Sequence, residues 1–246
     1  MSAVAHGLES RGLATTVLAG VLPQVEKTRP PRALMTPFML GRPLGEPGDA
    51  AFQRRVLLQA LGLLVRADGP VILDHFPHDN PSWFDRPGWT PSVELPAPAV
   101  AQTSAAWAAA LQAELARVLP AWGRFKARFG RSSVGLAGLP PHEWPDFAAS
   151  FLHGALPTLP LHPSAALAMR FLADDLKALY GEAAQADGGT PAARQIDGWF
   201  WRQTVAGQLL IALRAQALVS DDKAFRTVGG RFFVPAPHVP APPAPG

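Results

Sequence analysis

Residues 15–64, TTVLAGVLPQVEKTRPPRALMTPFMLGRPLGEPGDAAFQRRVLLQALGLL, decide the fold of the chain. The stretch contains two short apolar runs, residues 17–21 and 33–35, each bounded by turn residues as strands buried on both faces are. A loop rich in Gly and Pro follows, and Asp49 then caps an amphipathic helix that begins at residue 50. The predicted inward-facing residues of this helix are Phe52, Val56, Ala60 and Leu63.

The chain divides into segments of different character. A third apolar run at residues 70–73 completes an α/β part, which we place at residues 1–76. Residues 77–103 are rich in Pro and Trp and form a connection. Residues 104–234 show helical spacing of apolar residues, and residues 235–246 form a Pro-rich tail that we expect to be disordered. The sequence therefore predicts an α/β fold, in which a partial parallel sheet with helices precedes a mainly α-helical part.

The helical part allows more detailed predictions. A helix begins at Thr103 or Ser104 and runs to about residue 128, and Pro120 should kink or divide it. Shorter helices are predicted at residues 142–156 and 164–182. The remaining predictions are a single helix over residues 193–218 and a late strand at residues 231–234.

Composition limits the classes of function that the chain can have. It has 246 residues, a formal net charge of +3 and no cysteine. The absence of cysteine excludes disulfides, thiolate metal sites and a thiol nucleophile within this chain. Lys and Arg never cluster beyond two in a row, so no nucleic-acid partner is predicted. No signal peptide or membrane-spanning run is present, and we expect a cytoplasmic protein without a membrane partner.

The loop over residues 40–49 is the main candidate ligand site. Its glycines allow close backbone approach, a helix N-terminus lies beside it, and it carries an arginine, features that suit a small carboxylate or phosphate. The predicted ligand-binding residues are Gly41, Arg42, Gly45 and Gly48. The loop lacks the GxGxxG and Walker patterns, and Glu46 and Asp49 would oppose an anion. As a plain strand-to-helix connection, it would need no ligand.

A histidine pair offers a candidate metal site. His75 and His78, with Asp74 and Asp79 beside them, could share an ion if the chain turned back at Pro77. No further ligand is predicted elsewhere in the chain. We favour the alternative, in which a strand end exposes polar residues before a loop.

A second group lies in the helical part, where Asp174-Asp175 and the run Trp199-Phe200-Trp201 with Arg202 could line a pocket. Adjacent acids point about 100° apart on a helix and cannot act as a facing pair. We favour a solvated acidic face and indoles packed in the core. No residue pattern identifies a catalytic group or a cofactor.

The N-terminal part also resembles a known family. The resemblance covers residues 8–77 and is carried by Leu8-Glu9, Gly12-Leu13-Ala14-Thr15, Pro31-Arg32 and Pro43-Leu44-Gly45 followed by Pro47. These residues look like the C-terminal part of the glycine/sarcosine/betaine reductase component B (selenoprotein B) family. The resemblance implies reductive cleavage of a C–N bond in a small amino-acid-like substrate, with the carbon fragment passed to a selenoprotein partner.

The chain departs from that family at its redox centre. In the family, a selenocysteine or cysteine pair lies just upstream of the helix that corresponds to residues 4–12, whereas this chain has no cysteine. Either the gene start is misassigned, the protein is one half of a split pair, or it has left the family's chemistry. The resemblance implies a reductase-family protein whose redox-active Cys or Sec comes from a partner protein. The alternative is a non-catalytic binding or partner subunit.

Overall fold

The computed structural model describes residues 1–38, 41–45, 48–78, 87–99, 101–189 and 191–240. The chain forms two compact units, which we call the α/β unit (Met1–Asp85) and the helical unit (Arg86–Gly246). The predicted fold class is confirmed. Part of the predicted connection belongs to the helical unit, because the Ser92 N–H donates to the Ala184 carbonyl oxygen at 3.0 Å.

The α/β unit contains a parallel sheet with the strand order β1-β2-β3. Its elements are α1 (Ser2–Glu9), β1 (Val17–Ala19), α2 (Leu22–Thr28), β2 (Arg32–Met35), α3 (Ala50–Gly62) and β3 (Ile72–His75). A 3-10 turn, Leu63–Val65, continues α3. In the sheet Ala33 lies beside Val17 on one side and Leu73 on the other. The two predicted runs are therefore neighbouring parallel strands.

Alternating residues of β2 pack on the two faces of the sheet, as the period of a strand requires. Leu34 packs with Phe52, Val56 and Leu63, so α3 covers one face. Ala33 and Met35 pack with Val25, so α2 covers part of the opposite face. The residues predicted to face inward, Phe52, Val56, Ala60 and Leu63, are all buried, with Leu63 in the turn that continues α3.

The start of α3 is fixed by a side-chain cap. Asp49 Oδ1 accepts a hydrogen bond from the Phe52 N–H at 2.9 Å, which satisfies one of the free donors of the first turn. The Phe52 ring contacts Phe38 and Phe76, with ring centroids 5.6 Å apart in both pairs. This aromatic cluster lies beneath the carboxyl ends of β2 and β3.

The helical unit is built around one large core in which Leu111, Leu172, Leu176 and Leu209 are fully buried. Its helices are α4 (Ser104–Phe129), α5 (Trp144–Ser150), α6 (Ala165–Ala183), α7 (Ala193–Gln203), α8 (Val205–Leu218) and α9 (Lys223–Val228). Short 3-10 turns flank α5 at Pro141–Glu143 and Phe151–His153, so the predicted helix over residues 142–156 is replaced by three shorter pieces. A π-helical turn, Gly229–Phe233, and a 3-10 turn, Ala236–His238, follow α9.

Two predictions for the helical unit were wrong, and a third was only partly right. Of the two outcomes predicted at Pro120, a kink or a division, the division does not occur, because α4 continues past this exposed residue. The helix predicted over residues 193–218 is broken at Thr204, whose extended backbone separates α7 from α8 and whose hydroxyl accepts from the Gly207 N–H. The predicted late strand is the π-helical turn, in which Phe233 is buried against Phe225.

The described part of the predicted tail is not wholly irregular, because Val239 packs against the core of the helical unit. Residues 241–246 lie outside the described residues. Of the helices that the structure describes, none has both the length and the apolar character needed to cross a membrane.

Candidate ligand site

The carboxyl ends of the three strands meet at one edge of the sheet, where ligands bind in open α/β folds. Gly20 follows β1, Thr36 follows β2 and Phe76 follows β3. The Thr36 N–H donates to the Ala19 carbonyl oxygen at 2.8 Å, and its hydroxyl donates to the same oxygen at 3.3 Å. These bonds fix the buried Thr36 between the ends of β1 and β2.

Two small concavities open at this edge on either side of Thr36. The first has a volume of about 130 Å³ and is lined by Leu18, Ala19, Gly20, Thr36, Phe38, Gly41 and Pro43. The second has a volume of about 170 Å³ and is lined by Leu22, Met35, Thr36, Pro37, His75 and Phe76. Together they combine apolar walls with a hydroxyl, an imidazole and the open backbone of two glycines.

The structure places the predicted ligand-binding residues in different surroundings. Gly41 lines the first concavity. Arg42 is the next residue and is exposed. Gly48 is also exposed and lies directly before the Asp49 cap, while Leu40, Glu46 and Pro47 of the predicted loop lie outside the described residues. The predicted loop therefore contributes to the edge through Gly41 and Pro43, with Arg42 between them.

Gly45 has a packing role that the sequence did not reveal. It is buried, its φ is +87°, and a Cβ added there would lie 2.5 Å from Cε1 of Phe52. Only glycine accommodates both this backbone conformation and the close ring. Gly45 thus fixes the loop on the aromatic cluster and is not open to a ligand.

The histidine pair does not form a metal centre among the described residues, which contain no group of three metal-binding side chains. His75 lines the second concavity, whereas the His78 ring lies edge-on to Phe76 with centroids 5.4 Å apart. Asp79, the remaining predicted neighbour, lies outside the described residues.

The α/β unit has two larger concavities, of which the larger shares Leu18, Ala19 and Gly20 with the first concavity at the edge. One of about 330 Å³ lies beside β1, between α1 and α2, and one of about 200 Å³ lies between α2 and β3. The concavity of about 200 Å³ is lined mainly by apolar side chains such as Val25, Ala33 and Leu73. Neither contains Thr36 or a residue of the predicted ligand loop.

A partly buried ion pair fastens α1 to the opposite, amino end of the sheet. Glu9 Oε1 accepts from the Thr15 N–H and from the Arg32 guanidinium, both at 2.6 Å. The Thr15 N–H, with the help of Arg32, holds the pKa of Glu9 below its usual value. These groups have structural partners, so we do not assign them a ligand.

The acidic pair in the helical unit has two separate roles. Asp174 pairs with Lys177 at 2.8 Å, while the fully buried Asp175 accepts three backbone N–H bonds at 2.9 to 3.0 Å from Gly135, Leu136 and Ala137. The predicted solvated acidic face is therefore wrong for Asp175, because its carboxylate is buried and accepts the hydrogen bonds that the loop N–H groups would otherwise make to water.

The aromatic run Trp199-Phe200-Trp201 packs in the core, as we favoured. The Trp201 indole N–H donates to Asp197 at 3.1 Å, and Arg202 remains exposed. The buried indole thus has a hydrogen-bond partner, as buried tryptophans usually do.

Glu114 is a buried carboxylate that sequence reasoning missed. It accepts from the Tyr180 hydroxyl at 2.6 Å and from the Val205 and Ala206 N–H groups at 2.7 and 3.0 Å. Burial raises the pKa of Glu114, although its three donors oppose the shift. Burial, together with the Glu114 charge, also raises the pKa of Tyr180. The network caps the start of α8 from a distant helix.

Comparisons of the chain with protein-family models, with curated proteins and with solved structures found no significant match.

Proposed function

We propose that the α/β unit binds a small amino-acid-like molecule at the carboxyl edge of its sheet, as the ligand-binding subunit of a reductase-type assembly. The observation that supports this most is the pair of concavities that share Thr36, one of which includes Gly41 of the predicted loop. The resemblance of residues 8–77 to reductase component B supports the class of ligand.

The size of the edge favours a ligand of few atoms. The two concavities, at about 130 and 170 Å³, are smaller than the roughly 300–1,000 Å³ typical of drug-sized sites. Leu18 and Phe38 give an apolar wall for a methylene or methyl group. Arg42, directly after Gly41, is the cation that we assign to the ligand carboxylate.

The electron source in this proposal is another chain. Reductive cleavage of a C–N bond uses an electron pair, releases the nitrogen as an amine and leaves a reduced carbon fragment. A chain without cysteine has no thiolate to deliver those electrons. A partner protein that carries a redox-active Cys or Sec therefore supplies them.

Calorimetric titration of the full chain with glycine, sarcosine and betaine tests the ligand site. Arg42→Ala should weaken binding about ten- to a hundredfold, because a hydrogen bond to a charged group contributes roughly 1.5–3 kcal/mol. Arg42→Lys should restore only part of the affinity, since an ammonium cannot bind a carboxylate bidentately. Arg11→Ala is the matched control, because Arg11 is exposed in the same unit and lies outside both concavities.

Two outcomes would count against the site. If none of the three compounds binds the folded chain, the proposed ligand class is wrong. If one of them binds and Arg42→Ala leaves its affinity unchanged, the loop is only a connector.

A second candidate is a non-catalytic partner or scaffold subunit. It is favoured by the buried acids Glu114, Asp175 and Glu182 of the helical unit, each of which accepts hydrogen bonds from loop or helix N–H groups. With their oxygens engaged in this way, these acids hold the fold, and we assign none of the three to catalysis. Failure of all ligands to bind would leave this candidate in place.

A further inference from the structure

Helix α3 carries apolar residues on two opposite sides, and Arg54 lies among the outward ones. One face, with Phe52, Val56 and Ala60, is buried against the sheet. At about 100° per residue, Leu58 and Leu61 lie on the other side of the helix from Val56. Their side chains are 53% exposed, and Val65 in the following 3-10 turn is 87% exposed.

We call these exposed residues, Leu58, Leu61 and Val65, the α3 stripe. Apolar residues on the outward side of a surface helix indicate that another protein surface covers them. Surface helices normally carry polar residues opposite their buried face, and helices that are apolar all round are buried. Leu57, at 41% exposure, widens the stripe on one side. Contiguous exposed apolar residues mark interaction sites more often than single ones do.

We propose that this stripe pairs with the same stripe of a second copy of the chain, antiparallel and about a two-fold axis. In this pairing Leu58 of each copy lies against Leu61 of the other, so the contact is the same on both sides of the axis, as a two-fold interface requires. Gly62 is exposed, and nothing lies within 4 Å of the position that its Cβ would occupy, so the second helix can approach closely beside it.

Charge favours the antiparallel orientation. Arg54 and Arg55 are exposed near the start of α3 and, with the Asp49 cap, give that end a net charge of +1. Beyond its end, Arg66 pairs with Asp68 and lies 3.7 Å from Asp74. These three side chains together carry a net charge of −1. Antiparallel pairing places the basic start of each helix beside the acidic end of the other, whereas parallel pairing places like charges together.

The mass of the full chain in solution tests the proposal. Light scattering during gel filtration should give twice the 26.1 kDa chain mass at high concentration, and dilution should shift it toward 26.1 kDa. Leu58→Glu with Leu61→Glu should raise the dissociation constant at least about a hundredfold, because each charge would be desolvated in the interface. Leu136→Glu is the matched control, since Leu136 is 50% exposed in the helical unit.

A charge exchange separates this pairing from unspecific association. Arg54→Asp alone and Asp68→Arg alone should each raise the dissociation constant severalfold. The double variant should recover most of the affinity, because the opposite charges meet again across the two-fold axis.

Three results would overturn the proposal. The first is a 26.1 kDa species at every concentration. In that case another protein, or another part of the same chain, covers the stripe. The second is a dimer that the two glutamates leave unchanged. The third is a dimer that they weaken but that the charge exchange does not rescue, which would reject the antiparallel orientation.

Discussion

In the helical unit, buried carboxylates accept hydrogen bonds from backbone N–H groups that would otherwise bond to water. Asp175 and Glu182, seven residues apart on one side of α6, together accept hydrogen bonds from Ser133, Gly135 and Ala137 of one loop. Glu114 does the same for the start of α8. A buried N–H without an acceptor costs stability, so each carboxylate determines where its loop or helix can lie.

Glu114→Gln should lower the free energy of unfolding by about 1–3 kcal/mol. The reason is that the glutamine NH₂ group, a donor, would face a buried donor that now bonds to a carboxylate oxygen. Urea unfolding monitored by tryptophan fluorescence measures the loss. Glu94→Gln is the control, since Glu94 is exposed and its variant should stay within about 0.5 kcal/mol of the parent. An equal effect of both substitutions would show that the Glu114 network contributes little.

The pH dependence of this loss follows from the pKa of Glu114, which burial raises in the folded protein. The folded state then holds the proton to higher pH than the unfolded chain. The stabilising contribution is complete below the unfolded pKa, about 4.3, and is lost as pH rises through the folded pKa. The deficit of Glu114→Gln should therefore be larger near pH 4 than near pH 7. A deficit that grows with pH would mean that the three donors outweigh burial.

Gly45 and Gly48 form a matched pair for testing the loop before α3. Both have a positive φ, +87° and +85°, but only Gly45 lies against a side chain. Gly48→Ala should cost about 1–2 kcal/mol from the backbone alone. Gly45→Ala should cost roughly 1–3 kcal/mol more, because its methyl group collides with Phe52. Equal losses in urea unfolding would show that the Phe52 ring moves aside freely.

At the scale of elements, Pro120 in α4 is a helix-breaking residue that the tertiary structure overrides. A proline inside a helix removes one backbone hydrogen bond and is disfavoured by about 3 kcal/mol relative to alanine. Buried residues before and after it, Val118 and Ala121, hold the helix together. Packing of α4 in the core outweighs the local preference.

Pro120→Ala should therefore raise the free energy of unfolding, by about 1–3 kcal/mol, since Pro120 is exposed and its loss leaves no cavity. Gly123→Ala in the same helix is the comparison, because its added methyl group meets open space and should contribute about 0.5–1 kcal/mol. Denaturant unfolding measures both variants. A less stable Pro120→Ala protein would show that the fold depends on a bend at this residue.

Local signals made the α/β unit predictable. The strands were apolar runs between turns, and the Asp49 cap directly precedes the helix that it starts. The concavities beside Thr36 were not predictable, because separate segments of the chain form each of them. The break at Thr204 had a local signal, since Thr204 caps α8 through the Gly207 N–H, but the other acceptor there, Glu114, is remote in sequence.

Buried acids left a signal that could have been used. Asp175 lies three residues after Leu172 and four before Leu179, and Glu114 lies between Leu111 and Val118 at the same spacing. A carboxylate at an apolar position of a helical pattern indicates a buried acceptor that needs donors. The solvated face predicted for Asp175 was wrong because this apolar spacing, and not the neighbouring Asp174, determines its burial.

At the scale of the whole molecule, the α/β unit carries the proposed ligand site and the helical unit has a separate core. The α3 stripe lies on the opposite side of that helix from the sheet, so ligand binding and self-association are separable properties. Leu58→Glu with Leu61→Glu should leave ligand affinity unchanged, and Arg42→Ala should leave the mass unchanged. A variant that altered both properties would indicate a change in the fold of the unit.

Reductase chemistry provides the last test, because it depends on residues that the whole chain lacks. With dithiothreitol as reductant, the purified chain should release no ammonia from glycine, no methylamine from sarcosine and no trimethylamine from betaine. The reason is that thiol-dependent reduction needs a thiolate to attack and another to resolve the intermediate, and the sequence contains no cysteine. Amine release is measured by mass spectrometry, and calorimetry on the same sample shows whether the chain binds the compound. Binding without release would agree with a ligand-binding subunit that depends on a partner for electrons. Sustained amine release by the chain alone would contradict the proposal and require a different electron carrier within it.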